Sequence, residues 1–128
     1  MKTNPLVSVC IPTYNNADFI GQTIESILAQ TYKNIEILIG DNVSSDSTEE
    51  IINTFIKRDT RIKYFKNKKN LMYFGNCNNL IKKAKGKYIA IFHSDDVYNK
   101  DIIHKQVKFL EDNVKFAGVF SQRNLIDD

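Results

Sequence analysis

Two adjacent carboxylates, Asp95 and Asp96, are the residues of this sequence best suited to chemistry. They follow the strand-like run 87–93, at the point where the chain becomes polar. Carboxylates this close repel each other, and both stay ionised most easily when a divalent cation or hydrogen-bond donors lie between them. The pair therefore predicts an oxygen-ligated site for Mg²⁺ or Mn²⁺. The alternative is a solvated Asp-Asp turn that opens the next helix.

Polar residues also follow two earlier strand-like runs. Pro12-Thr13-Tyr14-Asn15 comes after the first run, and Asp41 ends the second. Loops that follow parallel strands emerge at one edge of a sheet, so we expect Tyr14, Asp41 and the two adjacent carboxylates to line one crevice.

Each of these side chains has a chemical use in such a crevice. Tyr14 offers an aromatic face to a nucleobase, Asp41 can accept an N–H from that base, and Asp95 can accept ribose hydroxyls. Asp96 would hold a cation that bridges a diphosphate, and this cation would stabilise charge developing on a phosphate leaving group.

The hydrophobic pattern predicts the elements that position these loops. Strand and helix signals alternate along the chain, and each is read from period-2 or helical spacing of apolar residues. Strands are predicted at 7–12, 35–41, 61–65, 87–93 and 115–121. Four helices are predicted: one near 17–31, one that begins after a capping box of Ser47 and Glu50, one that ends at Gly86, and one along 103–110. This order predicts an α/β domain with a doubly wound, mainly parallel sheet and helices on both faces.

Composition limits the class of protein. The 128 residues are 42% hydrophobic and 26% charged, which fits a single domain, 1–128. The formal charge of +3 is too small to predict nucleic acid as a partner. Cys10 and Cys77 lack the spacing of a zinc site or a disulfide framework. No apolar window predicts a membrane segment and no signal peptide is recognisable, so we expect a cytoplasmic protein, with peripheral attachment to the inner membrane face as the alternative.

Four blocks of the sequence, taken together in this order, resemble the family 2 glycosyltransferases of the GT-A fold, which is Rossmann-like. The blocks are residues 7–15, 24–31, 39–48 and 84–96. The resemblance implies transfer of a sugar from a nucleotide diphosphate sugar, most often a UDP-sugar, to an acceptor glycan or lipid-linked sugar, usually with inversion. It also implies a nucleotide-sugar site formed by Pro12, Thr13, Tyr14, Asn15, Asp41, Asn78, Ser94 and Asp95, with Asp96 and Asp95 at the metal.

The sequence departs from the family pattern at three positions. The acidic cluster usually reads Asp-any-Asp-Asp, but His93 stands at its first position. Met72 replaces a frequent glycine, and Cys77 replaces a basic residue beside Asn78. A positive charge expected near the diphosphate is therefore missing or supplied by Lys68 or Lys69.

Members of the family also need a second half, which binds the acceptor and supplies a carboxylate general base. No residue here matches that base, so we expect it beyond residue 128 and expect the chain to bind donor without efficient transfer. Absent later strands would leave a sheet edge unpaired, which predicts a homodimer through that edge.

Three alternatives come from other classes of protein. A receiver-type signalling module needs an acidic pair after the first strand, and a dinucleotide-dependent oxidoreductase needs a glycine-rich first turn. Residues 12–17 provide neither. A non-catalytic nucleotide-binding or regulatory domain on the same scaffold stays open.

Overall fold

A computed structural model of the chain describes residues 4–126, and in it four parallel strands form one sheet. The strands are β1 (Val7–Thr13), β2 (Ile35–Asp41), β3 (Ile62–Lys66) and β4 (Tyr88–Ile91). The helices are α1 (Ile20–Leu28), α2 (Thr48–Ile56), α3 (Met72–Ile81) and α4 (Ile102–Asp112). The strand order β3-β2-β1-β4, with every neighbouring pair parallel, confirms the predicted doubly wound α/β fold.

The two central strands are buried on both faces, as their near-continuous apolar sequences predict. β1 and β2 pair along their whole length, from Val7 opposite Ile35 to Thr13 opposite Asp41. On one face, alternate residues of the strands pack against the apolar stripes of α1, α2 and α4. On the other face, Cys10 and Leu38 pack against Leu80 of α3. Helices therefore cover both faces, with three on one side and one on the other.

The predicted fifth strand at 115–121 is wrong. After α4 the chain makes a turn and then runs without regular structure to residue 126, and Phe120 is almost fully exposed. Phe116 instead contacts Phe109 of α4, with ring centroids 5.6 Å apart. The segment pairs with neither edge strand, β3 or β4, and it covers little of the core, so its apolar sequence alone does not make it a strand.

Two predicted helix signals are also wrong. Ser47 precedes α2 but makes no capping hydrogen bond, and the Asp46 carboxylate accepts from the backbone N–H of Thr48 at 3.0 Å instead. Gly86 does not occupy the left-handed region. Glycine is required there for space, because a Cβ would lie 2.6 Å from the backbone nitrogen of Ser8.

Strand β4 is an edge of the sheet, and its two faces differ. Tyr88 and Ala90 are partly buried against the larger core, whereas Ile89 and Ile91, on the α3 side, are 44% and 37% exposed. The homodimer through a sheet edge stays a prediction. Within residues 4–126, the helices are too short and too polar to span a bilayer.

Candidate functional site

A crevice of about 360 Å³ lies where the chain leaves β1 and β4. We call it the edge crevice. It brings together five residues that the sequence assigns to a nucleotide-sugar site, namely Pro12, Thr13, Tyr14, Ser94 and Asp95. The remaining lining residues are Asn16, Asn42, Asn70, Met72, Tyr73, Asn76 and His93. The loops that follow β1 and β4, 75 or more residues apart in the chain, thus share one cavity.

Thr13, the last residue of β1, places an unpaired hydroxyl at the edge crevice. The residue is only 3% exposed, and its Oγ1 has no hydrogen-bond partner among the residues described. A buried hydroxyl without a partner is unfavourable by about 1–3 kcal/mol. A polar group of a ligand would remove this cost if the Thr13 side chain turned its hydroxyl toward the crevice.

The two residues that follow Thr13, Tyr14 and Asn15, have different roles. Tyr14 is 53% exposed and lines the crevice, so its ring is available to a ligand. Asn15 adopts a left-handed backbone, with φ of 47°, which asparagine tolerates better than most residues. Its N–H donates to Ser44 Oγ at 2.9 Å, and its Oδ1 accepts from the N–H of Ser45 at 2.7 Å. Asn15 therefore ties two loops together and does not line the crevice.

Asp41, at the end of β2 and opposite Thr13, is fully buried and does not line the edge crevice. Its Oδ1 accepts from the N–H and the hydroxyl of Ser44, at 2.9 and 2.6 Å. Its Oδ2 accepts from the Tyr64 hydroxyl at 2.6 Å. Burial, with this hydrogen bond, raises the pKa of Tyr64 far above its usual value, so the tyrosine stays a donor. Both carboxylate oxygens are engaged, and the neighbouring Asn42 lines the crevice instead.

The loop after β4 is held down on α1. Thr23 Oγ1 contacts the carbonyl oxygens of Ser94 and Asp96 at 2.9 and 2.8 Å. Ser94 Oγ accepts from Asn16 Nδ2 at 2.6 Å, which joins the loops after β1 and β4. With the loop fixed in this way, Asp95 is exposed at the crevice, whereas Asp96 is half-buried and has one carboxylate oxygen 3.5 Å from the Tyr98 hydroxyl.

The donor set of this loop fits a hard divalent cation. Mg²⁺ is commonly held by one or two carboxylates, with water and substrate phosphate completing its shell. Asp95 and Asp96 supply two carboxylates on one short loop. Across residues 4–126 no group of three or more histidine, cysteine or acidic side chains has the geometry to hold a metal. Among the described residues this loop therefore supplies at most two carboxylates, and water or phosphate would have to provide the other ligands of a cation.

His93 forms part of the crevice wall at the position where the family pattern has an acid. Its ring stacks on that of Tyr73, with centroids 5.7 Å apart and planes inclined by 11°. Its backbone N–H donates to the Tyr98 hydroxyl at 2.7 Å. The imidazole and the Tyr73 ring thus make one continuous aromatic surface beside Asp95.

A buried asparagine network supports the opposite wall, and the sequence analysis missed it. Asn76 Nδ2 donates to the Gly40 carbonyl at 2.7 Å, and its Oδ1 accepts from Asn67 Nδ2 at 3.0 Å. Asn42 Oδ1 accepts from Asn67 Nδ2 at 2.9 Å and from the N–H of Leu71 at 3.1 Å. The signal was present as five asparagines in residues 67–79. Buried amides must find partners, so such a cluster predicts a network.

Asn78 lies apart from the edge crevice. It lines a second cavity of about 730 Å³, which we call the basic cleft, together with Lys66, Lys68, Lys69 and Lys82. The cleft's remaining lining residues are Asn67, Leu71, Gly75 and Asn79. The structure therefore places Asn78 and the two candidate lysines, Lys68 and Lys69, in a different cavity from Thr13 and Asp95.

Two residues near the crevice adopt left-handed backbones that favour glycine. Met72 has φ of 57° and stands where the family often has glycine, and Val43 has φ of 64°. A β-branched residue in this region is strained, and such strain often occurs at binding loops.

Comparison with known proteins agrees with this architecture. The model of glycosyl transferase family 2 matches residues 8–126. Over 106 residues the chain is 46% identical to the UDP-Glc:alpha-D-GlcNAc-diphosphoundecaprenol beta-1,3-glucosyltransferase WfaP of Escherichia coli, a match that covers 83% of this chain and 41% of that protein. The chain spans less than half of the length of this and other curated relatives.

Solved structures show the same fold. S. aureus TarS 1–349 in complex with UDP has a TM-score of 0.78 and 25% identity, covering 84% of this chain and 32% of that one. The mannosyltransferase PcManGT from Pyrobaculum calidifontis, in complex with GDP-Man and Mn²⁺, has a TM-score of 0.81 and 23% identity, covering 87% of this chain and 34% of that one. The fold is that of GT-A glycosyltransferases, and the chain belongs to glycosyl transferase family 2.

Proposed function

We propose that the edge crevice binds a nucleotide diphosphate sugar, and that the chain is the donor-binding part of an enzyme that transfers the sugar to an acceptor hydroxyl. One observation carries the proposal. The loops after β1 and β4 converge on a single crevice that contains an exposed tyrosine ring, an unpaired buried hydroxyl and an exposed carboxylate, on Tyr14, Thr13 and Asp95. A nucleotide offers a base to the tyrosine ring and hydroxyls to the threonine and the carboxylate, and a divalent cation would be needed between the carboxylate and the diphosphate.

Each residue then has a defined task. The Tyr14 ring and Pro12 pack against the base, and Thr13 Oγ1 hydrogen-bonds to it. Asp95 accepts hydroxyl groups of the ribose. Asp41 is fully buried and accepts three hydrogen bonds from Ser44 and Tyr64, and we propose that its main task is to hold the loop after β2 in place.

Mg²⁺ or Mn²⁺, when bound, would offset negative charge on the diphosphate as it leaves. Asp95 and Asp96 are the residues that would hold the cation. Asp96 does not line the edge crevice, and one of its carboxylate oxygens contacts the Tyr98 hydroxyl at 3.5 Å, so its side chain would have to turn toward Asp95 to share the cation.

The acceptor side of the reaction requires a base outside the crevice. Among the residues that line the edge crevice, Asp95 is the sole carboxylate, and we assign it to the donor. We therefore propose that a part of the enzyme beyond these 128 residues supplies the general base, and that this chain alone binds donor without efficient transfer. On the family resemblance we further propose that transfer inverts the anomeric centre.

The relatives favour particular substrates. The name of WfaP includes a UDP-sugar donor and a sugar linked to a lipid diphosphate, and TarS has been solved with UDP. We accordingly propose a UDP-sugar as donor and a glycan or lipid-linked sugar as acceptor, with the enzyme in the cytoplasm or at the inner face of the membrane.

A non-catalytic domain on the same scaffold is the second candidate. His93 at the first acidic position favours it, because imidazole is a poorer ligand for Mg²⁺ than a carboxylate. A domain that no longer binds a sugar donor would show no metal-dependent binding of nucleotide diphosphates.

Calorimetric titration separates these candidates. The chain is titrated with UDP, GDP and their sugars, with and without Mg²⁺ or Mn²⁺, and compared with Asp95→Asn and Asp96→Asn. Asp101→Asn is the matched control, because it removes the same charge from a residue that does not line the edge crevice. Asp101 lies beside Lys100, whose carbonyl oxygen accepts a hydrogen bond from the N–H of Thr31.

We expect cation-dependent binding that both site variants weaken by at least about tenfold, as loss of a charged contact predicts, and that the control leaves unchanged. Equal, cation-dependent binding by wild type and both site variants would remove the metal assignment. No binding of any nucleotide would overturn the proposed function.

A further inference from the structure

The basic cleft carries four lysines, and its lining contains no acidic residue. Of these lysines, Lys66 forms an ion pair with Glu49. Lys68, Lys69 and Lys82 are exposed and make no ion pair with any of residues 4–126. By contrast, Lys63, Lys87 and Lys108 each pair with a carboxylate. The cleft therefore concentrates positive charge that the described part of the protein leaves uncompensated.

The position of two of these lysines is itself unfavourable. Lys68 and Lys69 stand just before α3, which begins at Met72, and the N-terminal end of a helix carries partial positive charge. Lysines that interact well with a helix lie at its other end, where Lys82 is. An anion bound in the cleft would be attracted by these positive charges.

The remaining lining groups suit an oxygen-rich anion. Asn78 is exposed in the cleft, and its side chain makes no hydrogen bond within residues 4–126. Its amide can donate to phosphate oxygens, as the lysine ammonium groups do. At about 730 Å³ the open cleft is large enough for a diphosphate or for clustered phosphate groups.

We propose that the basic cleft is a second anion site, separate from the edge crevice, that binds a diphosphate or closely spaced phosphate groups. The first turn of α3 separates the two cavities, with Met72 and Tyr73 on the crevice side and Leu71 and Gly75 on the cleft side. The phosphate chemistry has two sources, a soluble diphosphate or the headgroups of a membrane surface. The inference rests on the cleft itself, and it adds to the proposed function a second place where phosphate groups are bound.

The test uses the 128-residue chain without divalent cation. Inorganic pyrophosphate is titrated while backbone amide signals are followed by NMR. In parallel, the chain is sedimented with vesicles of phosphatidylglycerol or of phosphatidylcholine. The variant combines Lys68→Gln, Lys69→Gln and Lys82→Gln. A matched control combines Lys57→Gln, Lys100→Gln and Lys105→Gln, which removes the same charge from exposed lysines outside the cleft.

We expect pyrophosphate to shift the amide signals of residues 68, 69, 78 and 82. The cleft variant should bind at least about tenfold more weakly, since each lysine near an anionic surface contributes a factor of roughly five. The control should stay within about twofold, and binding should weaken as NaCl rises from about 0.05 to about 0.5 M. Circular dichroism should show that both variants fold. Binding to pyrophosphate but to neither vesicle identifies a soluble ligand, and binding to phosphatidylglycerol alone identifies a membrane surface.

Equal loss in the cleft variant and in the control would overturn the proposal, because it would show an effect of net charge only. Absence of binding to pyrophosphate and to both vesicles would overturn it as well. The cleft variant is also titrated with nucleotide sugar and Mg²⁺, where an unchanged affinity is expected. Loss of that affinity would show that the cleft is part of the donor site. It would overturn the proposal of a separate anion site and leave the proposed function standing. Pyrophosphate binding at the cleft without any nucleotide binding would overturn the proposed function alone.

Discussion

Replacing Asp41 with alanine should destabilise the protein, because this carboxylate braces the loop after β2. Asp41 accepts three hydrogen bonds, from the N–H and hydroxyl of Ser44 and from the Tyr64 hydroxyl. A residue that contacted only a ligand would instead change affinity and leave stability almost unchanged.

The expected magnitude follows from the three hydrogen bonds. A hydrogen bond to a charged group contributes about 1.5–3 kcal/mol, and an unpaired buried donor carries a comparable cost. Ser44 is partly exposed, so water replaces some of what its two donors lose, whereas the Tyr64 hydroxyl loses its carboxylate partner. We therefore expect Asp41→Ala to lower the free energy of unfolding by about 3 kcal/mol.

Urea unfolding followed by circular dichroism measures this change. With a slope of about 1.5 kcal/mol per molar urea, the midpoint should fall by about 2 M. Asp95→Ala is the matched control, because Asp95 is exposed and makes no hydrogen bond within residues 4–126, and its change should stay below about 0.5 kcal/mol. Equal midpoints for the two variants would refute the bracing role of Asp41.

Two further predictions concern the face of the sheet that packs on α3. Gly40→Ala should cost about 3 kcal/mol in urea unfolding, because its Cβ would lie 2.4 Å from Asn76 Oδ1, whereas Gly118→Ala, with open space around it, should cost almost nothing. Burial raises the pKa of the Glu36 carboxyl, but hydrogen bonds from Ser8, Lys63 and a backbone N–H outweigh burial and lower this pKa below 4.5. The stability due to Glu36 is therefore present above pH 4.5 and lost as pH falls through the lowered value. Between pH 7 and 3, Glu36→Gln should lose less stability than the wild type, and equal losses would contradict this assignment.

The sequence predicted the elements whose signals are local and redundant. β1 and β2 are long apolar runs that pair over their whole length, and α1 carries a regular apolar stripe. The segment at 115–121 has a similar apolar content but pairs with no strand, because pairing depends on the rest of the fold and not on the segment alone. The helix signals were wrong for a similar reason: the Ser47 side chain makes no capping hydrogen bond, and the N–H that begins α2, that of Thr48, donates to Asp46.

For the candidate site, the sequence predicted which loops meet but not which way each side chain points. Parallel topology alone brings Thr13 and Asp95 to one edge. The partner that turns Asp41 inward is Tyr64, 23 residues away, and no local pattern reveals it. The direction in which Asn78 faces follows from helix geometry. Two residues apart on a helix differ by about 200°, so once the structure places Asn76 in the edge crevice, Asn78 must face away from it.

The central claim is that the loops after β1 and β4 both contact one donor molecule bound in the edge crevice. An NMR titration of the chain with UDP and Mg²⁺ tests it most directly. The amide signals of Thr13, Tyr14, Ser94 and Asp95 should shift together with a single dissociation constant, while those of Lys57 and Lys105 stay fixed. Shifts confined to the basic cleft, or shifts at only one of the two loops, would contradict the claim.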